Sequence, residues 1–215
     1  MNRGVPPRTK ITISNLVRRG VPRSYVEYTV EDINDPHKRK LFKEYLTHLD
    51  DMLADTTNVC MYGANGAGKT MIASILIKES YRRRYKSYMT TLANLISLNF
   101  KADKTQDDYD ILNYIKNCDL LIIDEVGKEN FNKSLSNIAL FEETLRNAVK
   151  VGQTIVICSN LPLEGEGGIY EQYGASIESL ISGEFIKLRF NENDHRAEVS
   201  KKKKSIKLLN RRMSK

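Results

Sequence analysis

Short apolar runs alternate with amphipathic stretches along most of the chain. The apolar runs predict β-strands at residues 58–62, 86–90, 120–124, 154–159 and 184–190. Apolar positions at helical spacing predict helices at residues 36–54, 68–84, 91–100, 107–117, 136–150 and 169–182. Strands that alternate with helices of this length predict an α/β fold with a central parallel sheet that is covered on both faces.

The two ends of the chain depart from this alternation. Residues 1–24 mix proline and glycine with arginine and lysine, and residues 201–215 are rich in lysine and arginine. Such composition is typical of segments without a packed core of their own. The sequence therefore predicts a basic N-terminal arm and linker over residues 1–35, a core over residues 36–200 and a basic tail over residues 201–215.

The positive charge of the protein is concentrated in these ends. The chain has 34 Lys and Arg against 27 Asp and Glu, which gives a formal net charge of +7. Residues 1–24 carry +6 and residues 201–215 carry +8, whereas residues 25–200 sum to −7. Concentrated positive charge favours a polyanion such as DNA, because each neutralised phosphate releases counterions. Solvated tails without a partner are the alternative.

The remaining composition excludes several classes of protein. Hydrophobic residues make up 40% of the chain and charged residues 28%, which is typical of a globular domain and excludes a disordered or collagen-like chain. No run approaches the roughly 18 apolar residues of a membrane helix. Cys60, Cys118 and Cys158 lie far apart inside apolar runs, which disfavours a disulfide framework. We therefore expect a cytoplasmic protein without a membrane partner.

One segment has the residue types that bind a nucleotide phosphate chain. It consists of Gly63, Ala64, Asn65, Gly66, Ala67, Gly68, Lys69 and Thr70, which fits G-x-x-x-x-G-K-[ST] after a strand and before a helix. Glycines let the backbone wrap closely around phosphates, and the helix directs its positive dipole end at them. Lys69 would contact the β- and γ-phosphates, and the Thr70 hydroxyl would bind Mg²⁺. ATP and Mg²⁺ are the predicted ligands.

Two later strands end in polar residues that suit nucleotide hydrolysis. The strand at 120–124 ends in Asp124, and Glu125 follows it. In P-loop enzymes such an aspartate holds Mg²⁺, and the next acid is placed to orient or deprotonate the attacking water. Asn160 follows the strand at 154–159, where a polar side chain would lie beside the γ-phosphate. The acid pair therefore favours hydrolysis over phosphorylation of a small metabolite.

Two clusters of basic residues are candidate DNA contacts. Arg82, Arg83, Arg84 and Lys86 end the helix after the phosphate-binding segment and are interleaved with tyrosines, as single-strand binding surfaces often are. Cations are also favoured at a helix C-terminus by its dipole, which is the alternative. Lys201, Lys202, Lys203 and Lys204 open the tail, where sequence-independent phosphate binding and simple solvation are both open.

The motifs together resemble one family. The runs GANGAGKT, LLIIDEVG and TIVICSNLP, with the upstream NLVRRGVPRSYVEYTVEDI, resemble AAA+ ATPases of the DnaC/DnaI replicative helicase loader group and the related IstB transposition helpers. The resemblance implies that Lys69 and Thr70 belong to the Walker A motif, and Asp124 and Glu125 to the Walker B motif. It also implies that Asn160 is sensor 1. Arg196 matches the sensor 2 arginine.

The resemblance also implies partners and a biological setting. Such proteins form homo-oligomers with ATP at subunit interfaces, bind single-stranded DNA and load a DnaB-like helicase. The expected source is a phage or mobile element, and the expected location is the bacterial host cytoplasm. Two alternatives remain open. One is an IstB-like transposition helper that coats duplex DNA, and the other is an ATP-binding DNA scaffold with little intrinsic hydrolysis.

The sequence departs from the family pattern at two places. The family carries an arginine finger in a G-x-x-x-x-S-R-L type stretch, whereas the corresponding residues Gly174–Leu180 contain no arginine. A trans-acting arginine accelerates hydrolysis by orders of magnitude, so we expect weak activity alone unless Arg189 or another basic residue substitutes. The helical lid that usually follows the core is expected to be reduced or absent, because few residues follow the strand at 184–190.

Overall fold

The computed structural model describes residues 11–129 and 135–190. Within these residues five strands form one sheet: β1 (Asn58–Gly63), β2 (Ser87–Thr91), β3 (Leu120–Val126), β4 (Thr154–Ser159) and β5 (Phe185–Phe190). Their order is β2-β3-β4-β1-β5, and every neighbouring pair is parallel. This arrangement confirms the predicted α/β fold with a central parallel sheet.

The described residues also contain nine α-helices. They are α1 (Ile13–Arg18), α2 (Pro36–Thr47), α3 (Leu49–Ala54), α4 (Lys69–Arg82), α5 (Leu92–Phe100), α6 (Gln106–Lys116), α7 (Leu135–Val151), α8 (Ile169–Tyr173) and α9 (Ala175–Glu184). Two short 3₁₀ turns, Arg23–Tyr25 and Val30–Asp32, lie between α1 and α2. Threonine side chains cap α5 and α6 at their first turns, which stabilises these helix starts.

Side chains of the sheet alternate between two apolar cores. In β3, Leu121 and Ile123 face the core formed with α5, α7, α8 and α9, whereas Leu120 and Ile122 face the core formed with α4 and the N-terminal residues. All four side chains are essentially inaccessible to solvent. Each contributes about 1.5–3 kcal/mol on burial. Because both faces of the sheet are covered, its strands are almost continuously apolar in sequence.

The described N-terminal residues, 11–35, pack onto the core that contains α4. Leu16, Val21, Val26 and Ile33 are buried there. The sequence assigns this stretch to an arm and linker by its proline, glycine and charge content. The buried residues, spaced unevenly between turns, give it an apolar face without a helical or strand period.

A glycine fixes the same segment against the outer edge of the sheet. The N–H of Met89 in β2 donates to the carbonyl oxygen of Arg19 at 2.9 Å. Gly20 has φ of 83°, and a Cβ there would lie 1.6 Å from the backbone oxygen of Met89. The chain can approach β2 this closely because residue 20 is glycine. The segment therefore covers part of an edge strand that would otherwise be open.

Two predicted helices are each divided in the structure. The helix predicted at 36–54 breaks at His48, just after Thr47, whose hydroxyl bonds back to the carbonyl of Lys43 at 2.9 Å. Such back-bonding bends helices. The helix predicted at 169–182 breaks at Gly174, which has φ of 87°. A left-handed glycine of this kind ends a helix even where the apolar periodicity continues.

Candidate nucleotide-binding site

The candidate site lies where the strand order reverses. From β1 the chain runs through α4 to β2 at one edge of the sheet, and from β4 it runs through α8 and α9 to β5 at the other. A crevice opens at such a point outside the carboxyl ends of the strands. The loop after β1, and the residues that end β3 and follow β4, all reach this crevice.

The loop between β1 and α4 turns through glycines in the left-handed region. Gly66 and Gly68 have φ of 77° and 94°. A Cβ on Gly63 would lie 2.2 Å from the backbone oxygen of Phe190, at the end of β5. α4 begins directly after the loop, so its first N–H groups and its positive dipole end face the crevice. The loop thus has the shape and polarity of an anion-binding cradle.

Lys69 is buried and held by the loop itself. The residue is 5% exposed, and its Nζ donates to the carbonyl oxygens of Gly63 and Ala64 at 2.7 Å each. A buried ammonium needs such acceptors, because removing a charge from water is costly. Phosphate oxygens would be stronger acceptors for the same ammonium, since they carry charge.

Thr70 and Asp124 meet across the crevice. The Thr70 hydroxyl donates to the Asp124 carboxylate, and the Glu125 N–H donates to Asp124 Oδ1 at 2.7 Å. Burial raises the pKa of Asp124 above its ordinary value, although both hydrogen bonds oppose the shift. An anionic Asp124 therefore calls for a positive partner at this position.

The same two oxygen donors fit Mg²⁺. Hydroxyl and carboxylate oxygens are the ligands that this hard cation prefers. Within residues 11–129 and 135–190, no group of three or more His, Cys, Asp or Glu side chains could hold a metal ion. Mg²⁺ usually keeps several waters and substrate phosphate oxygens as ligands, so Thr70 and Asp124 suffice as protein ligands.

Glu125 stands at an irregularity of β3. The pairing of β3 with β4 shifts between Ile123 and Val126, and Glu125 has φ of 57°. A bulge of this kind breaks the side-to-side alternation of a strand. Asp124 and Glu125, although consecutive, consequently both line the crevice. The Glu125 carboxylate also contacts Lys128, whose Nζ lies 2.7 Å from Oε1.

Ser159 ties together the ends of the two strands beside the loop. Its Oγ donates to the carbonyl of Val126 at 2.7 Å and accepts from the N–H of Leu161 at 3.1 Å. Asn160, which lies between Ser159 and Leu161 in the chain, lines the crevice. The serine therefore fixes the backbone from which the predicted sensor 1 side chain extends.

One cavity of about 1170 Å³ brings most of the predicted site residues together. Its lining includes Lys69, Thr70, Asp124, Glu125 and Asn160. The loop glycines 66 and 68 also line it, whereas loop residues 63–65 do not. The volume exceeds the roughly 300–1,000 Å³ of ordinary small-molecule sites. It is large enough for a complete nucleotide.

The N-terminal segment forms one wall of this cavity. Gly20, Pro22, Tyr25 and Tyr28 contribute to the lining. The two tyrosine rings lie 5.6 Å apart, and buried Lys78 of α4 donates to the carbonyl of Tyr28 at 2.6 Å. The sequence alone predicts a linker for this stretch. Its two tyrosines, Tyr25 and Tyr28, are the available signal for a ligand wall.

Lys128 also lines the cavity, and the sequence did not identify it as a site residue. It is the third residue after Glu125, and Gly127 between them has φ of 90°. A glycine-containing turn directly after the acid pair was the available signal. The ion pair itself depends on a backbone conformation that no residue pattern specifies.

The basic cluster at 82–86 precedes the amino end of β2. It therefore lies on the amino-end side of the sheet, whereas the cavity lies at the carboxyl ends of the strands. Arg82 pairs with Glu79, and Arg83 pairs with Asp50 at 2.8 Å. Arg84 and Lys86 are exposed. Any DNA contact here would therefore be separate from the nucleotide.

The interleaved tyrosines of this cluster contact protein groups. The Arg19 guanidinium lies 4.3 Å from the Tyr81 ring centroid, and Asn15 donates to the Tyr81 hydroxyl at 2.8 Å. Tyr85 packs against the core shared with α4 and bonds Asp50. The exposed cations are therefore the stronger candidates for nucleic-acid contact than the rings.

Several predicted features lie outside the described residues. These are the sensor 2 candidate Arg196, the tail lysines Lys201, Lys202, Lys203 and Lys204, and the C-terminal region where a lid would stand. In the part of the chain that the structure describes, no helix is both long and apolar enough to span a membrane.

The fold and the site together define a P-loop ATP-binding protein of the AAA+ class. The chain belongs to the IstB-like ATP binding protein family, a model of which matches residues 21–173, more than half of its length. The predicted resemblance to the DnaC, DnaI and IstB branch is thereby confirmed. A comparison with curated proteins gives no match.

Solved structures of replication proteins share the fold. The DnaC helicase loader has a TM-score of 0.61 at 15% identity, over 80% of this chain and 99% of that chain. DnaI has a TM-score of 0.60 at 16% identity, over 80% and 93%. Replication initiator DnaA bound to AMPPCP and single-stranded DNA has a TM-score of 0.60 at 19% identity. The match covers 78% of this chain and half the length of that DnaA chain.

Proposed function

We propose that this protein is an ATPase of DNA replication that loads a hexameric replicative helicase onto single-stranded DNA. The observation that carries the proposal is the convergence of Lys69, Thr70, Asp124, Glu125 and Asn160 on one cavity. Membership of the IstB-like ATP-binding family and a fold shared with DnaC and DnaI support it. ATP binding drives oligomerisation on DNA, and hydrolysis resets the protein.

The residues of the site divide the hydrolysis of ATP among them. Loop amides bind the phosphate chain, and Lys69 neutralises charge on the β- and γ-phosphates. Thr70 and Asp124 would hold Mg²⁺, which would offset the charge that develops on the transferred phosphoryl group. Asn160 orients the water, and Glu125 accepts its proton. The water oxygen bonds to the γ-phosphorus as the bond to the bridging oxygen breaks, giving ADP and phosphate.

The N-terminal wall supplies a position for the purine base. Tyr25 and Tyr28 line the same cavity as the loop, and aromatic faces stack well on bases. Lys78 holds the backbone of this wall against the same helix that begins at the loop. Base and phosphates would thus be bound by elements fixed to one helix.

Hydrolysis in an oligomer also needs a cation from the neighbouring subunit. Arg189 pairs in register with Tyr62, directly before the loop, so it lies beside its own subunit's site. Arg146 of α7 lies outside the cavity lining and is about half exposed. Its Nη2 donates to Ser176 Oγ at 2.8 Å, within the stretch that lacks the finger. We therefore assign the trans-acting role to Arg146.

Nucleotide binding and turnover test the centre of the proposal. Lys69→Ala should weaken binding of a fluorescent ATP analogue about 100-fold or more, because a buried hydrogen-bonded cation is lost. Glu125→Gln should keep binding and lower turnover by about 10²-fold. Lys150→Ala, exposed at the end of α7, serves as the control. Normal ATP binding by Lys69→Ala would show that the site is assigned wrongly.

A second set of measurements separates the loader from its alternatives. The loader should retain a DnaB-like helicase in an ATP-dependent pull-down. The second candidate is an IstB-like transposition helper, which the family match supports. Such a helper should retain long duplex DNA and a transposase. A scaffold should turn over ATP equally slowly with and without DNA. Removing residues 201–215 should weaken single-strand binding and flatten its salt dependence while ATP binding is unchanged.

A further inference from the structure

The carboxylate assigned to activate water is engaged by a lysine of the next turn. Lys128 Nζ lies 2.7 Å from Glu125 Oε1, and the Lys128 N–H donates to the Glu125 carbonyl oxygen at 3.0 Å. The left-handed conformations of Glu125 and Gly127, with φ of 57° and 90°, close the chain into this turn. The backbone therefore brings the two side chains together.

The pair lies inside the nucleotide cavity and is open to solvent. Glu125 and Lys128 both line the cavity that contains Lys69 and Asn160. Their side chains are 45% and 41% exposed. Ion pairs of this exposure are weak and sensitive to salt. The contact can therefore be broken without disturbing the fold.

Hydrolysis and the ion pair compete for the same atom. A general base must bring a carboxylate oxygen within hydrogen-bond reach of the water that it deprotonates. Oε1 of Glu125 already accepts from the Lys128 ammonium. While that contact holds, the carboxylate is drawn along the turn toward residue 128 and its charge is directed to the ammonium.

We propose that Lys128 is a positioning residue that restrains Glu125 and keeps ATP hydrolysis slow in the isolated protein. The inference rests on the proposed ATPase function. Lys128 forms and breaks no covalent bond, and it acts only through the orientation of Glu125. Anything that draws the ammonium away releases the carboxylate to the water.

Steady-state hydrolysis by charge variants of the full chain tests this role. Lys128→Gln should raise kcat about two- to fivefold with KM unchanged, which is the range that a half-exposed ion pair supplies. Lys128→Arg keeps the charge and should stay near the wild-type rate. Lys150→Gln removes an exposed lysine outside the cavity and should change neither constant.

Two further readouts separate restraint from a structural role. Raising the ionic strength should narrow the difference in kcat between wild type and Lys128→Gln, because salt screens the pair. In a Glu125→Gln background, Lys128→Gln should have no effect, since the restrained group is gone. A merely structural lysine would instead lower the melting temperature and affect both backgrounds.

Opposite results would overturn the inference in distinguishable ways. A fall in kcat for Lys128→Gln would make Lys128 a direct contributor to catalysis. An unchanged kcat would leave the ion pair without a role, although the ATPase assignment would stand. Absence of hydrolysis in both wild type and Lys128→Gln would remove the proposed function and this inference together.

Discussion

At the scale of single residues, the site is built at a cost to stability. Asp124 is an acid held in a buried position, and burial raises its pKa above the ordinary value. The folded protein therefore binds this proton more tightly than the unfolded chain. A raised carboxyl pKa contributes stability at acidic pH, and that contribution is lost as the pH rises through the ordinary carboxyl pKa toward the raised one. At neutral pH the buried charge of Asp124 therefore lowers the stability of the fold, and its role is to bind a cation.

Asp124→Asn should stabilise the protein without nucleotide and make it unresponsive to Mg-ATP. We expect the melting temperature at pH 7.5 to rise by a few degrees, because an amide has no charge to desolvate. The gain in melting temperature should shrink as the pH is lowered toward 4, because Asp124 of the wild type then becomes protonated. Asp103→Asn changes an exposed carboxylate and is the control. A gain of equal size at both pH values would contradict the burial argument.

At the scale of elements, the cavity depends on how the N-terminal segment docks against β2. Gly20→Ala would place a Cβ 1.6 Å from the Met89 carbonyl oxygen, at a residue with φ of 83°. We expect the free energy of unfolding to fall by about 2–3 kcal/mol, and nucleotide affinity to fall with it. Urea titrations without and with ATP measure the free energy of unfolding and the stabilisation by the nucleotide.

The matched control is a glycine without these constraints. A Cβ on Gly183 in α9 would meet no heavy atom within 4 Å. Gly183→Ala should therefore be neutral or stabilise by up to about 1 kcal/mol. Equal losses for the two variants would mean that the close approach at β2 does not determine stability.

The elements that the sequence predicts well are those set by local pattern. β3 and β4 are buried on both faces, so their apolar runs are continuous. The predicted bounds of β4 are confirmed, whereas β3 continues to Val126, two residues beyond the predicted end. The breaks at His48 and Gly174 were not predicted, because apolar periodicity continues through both. The hydrogen bond from the Thr47 hydroxyl to the Lys43 carbonyl and the left-handed Gly174 end those helices.

The candidate site also has residues that the sequence predicts and residues that it does not. Lys69, Thr70 and Asp124 follow from motif spacing, because the chemistry of phosphate binding demands those residue types in that order. The tyrosine wall and the partner of Glu125 were not predicted. They depend on which distant segment docks beside the loop and on the turn that Glu125 adopts.

At the scale of the molecule, the candidate nucleotide site and the candidate DNA surface lie at opposite ends of the strands. The cavity lies outside the carboxyl ends of the strands, whereas Arg84 and Lys86 precede the amino end of β2. Coupling between them must therefore pass through the sheet or through subunit contacts. The head-to-tail oligomer proposed above would provide the second route, because each subunit would then offer a different surface to its neighbour's site.

Arg146 is where this arrangement can be tested. Its guanidinium is held by Glu142, with Nε donating to Oε1 at 2.7 Å, and by Ser176, so it is ordered before any neighbour arrives. Arg146→Ala should leave ATP binding unchanged and lower DNA-stimulated hydrolysis about 10³-fold, the lower range for a trans-acting arginine. Mixing it with Lys69→Ala, itself inactive, should restore activity, because mixed oligomers contain an intact site facing an intact Arg146. Lys150→Ala should behave as wild type in both assays. If the mixture stayed inactive while each variant still formed oligomers with wild type, Arg146 would act within its own subunit or not at all.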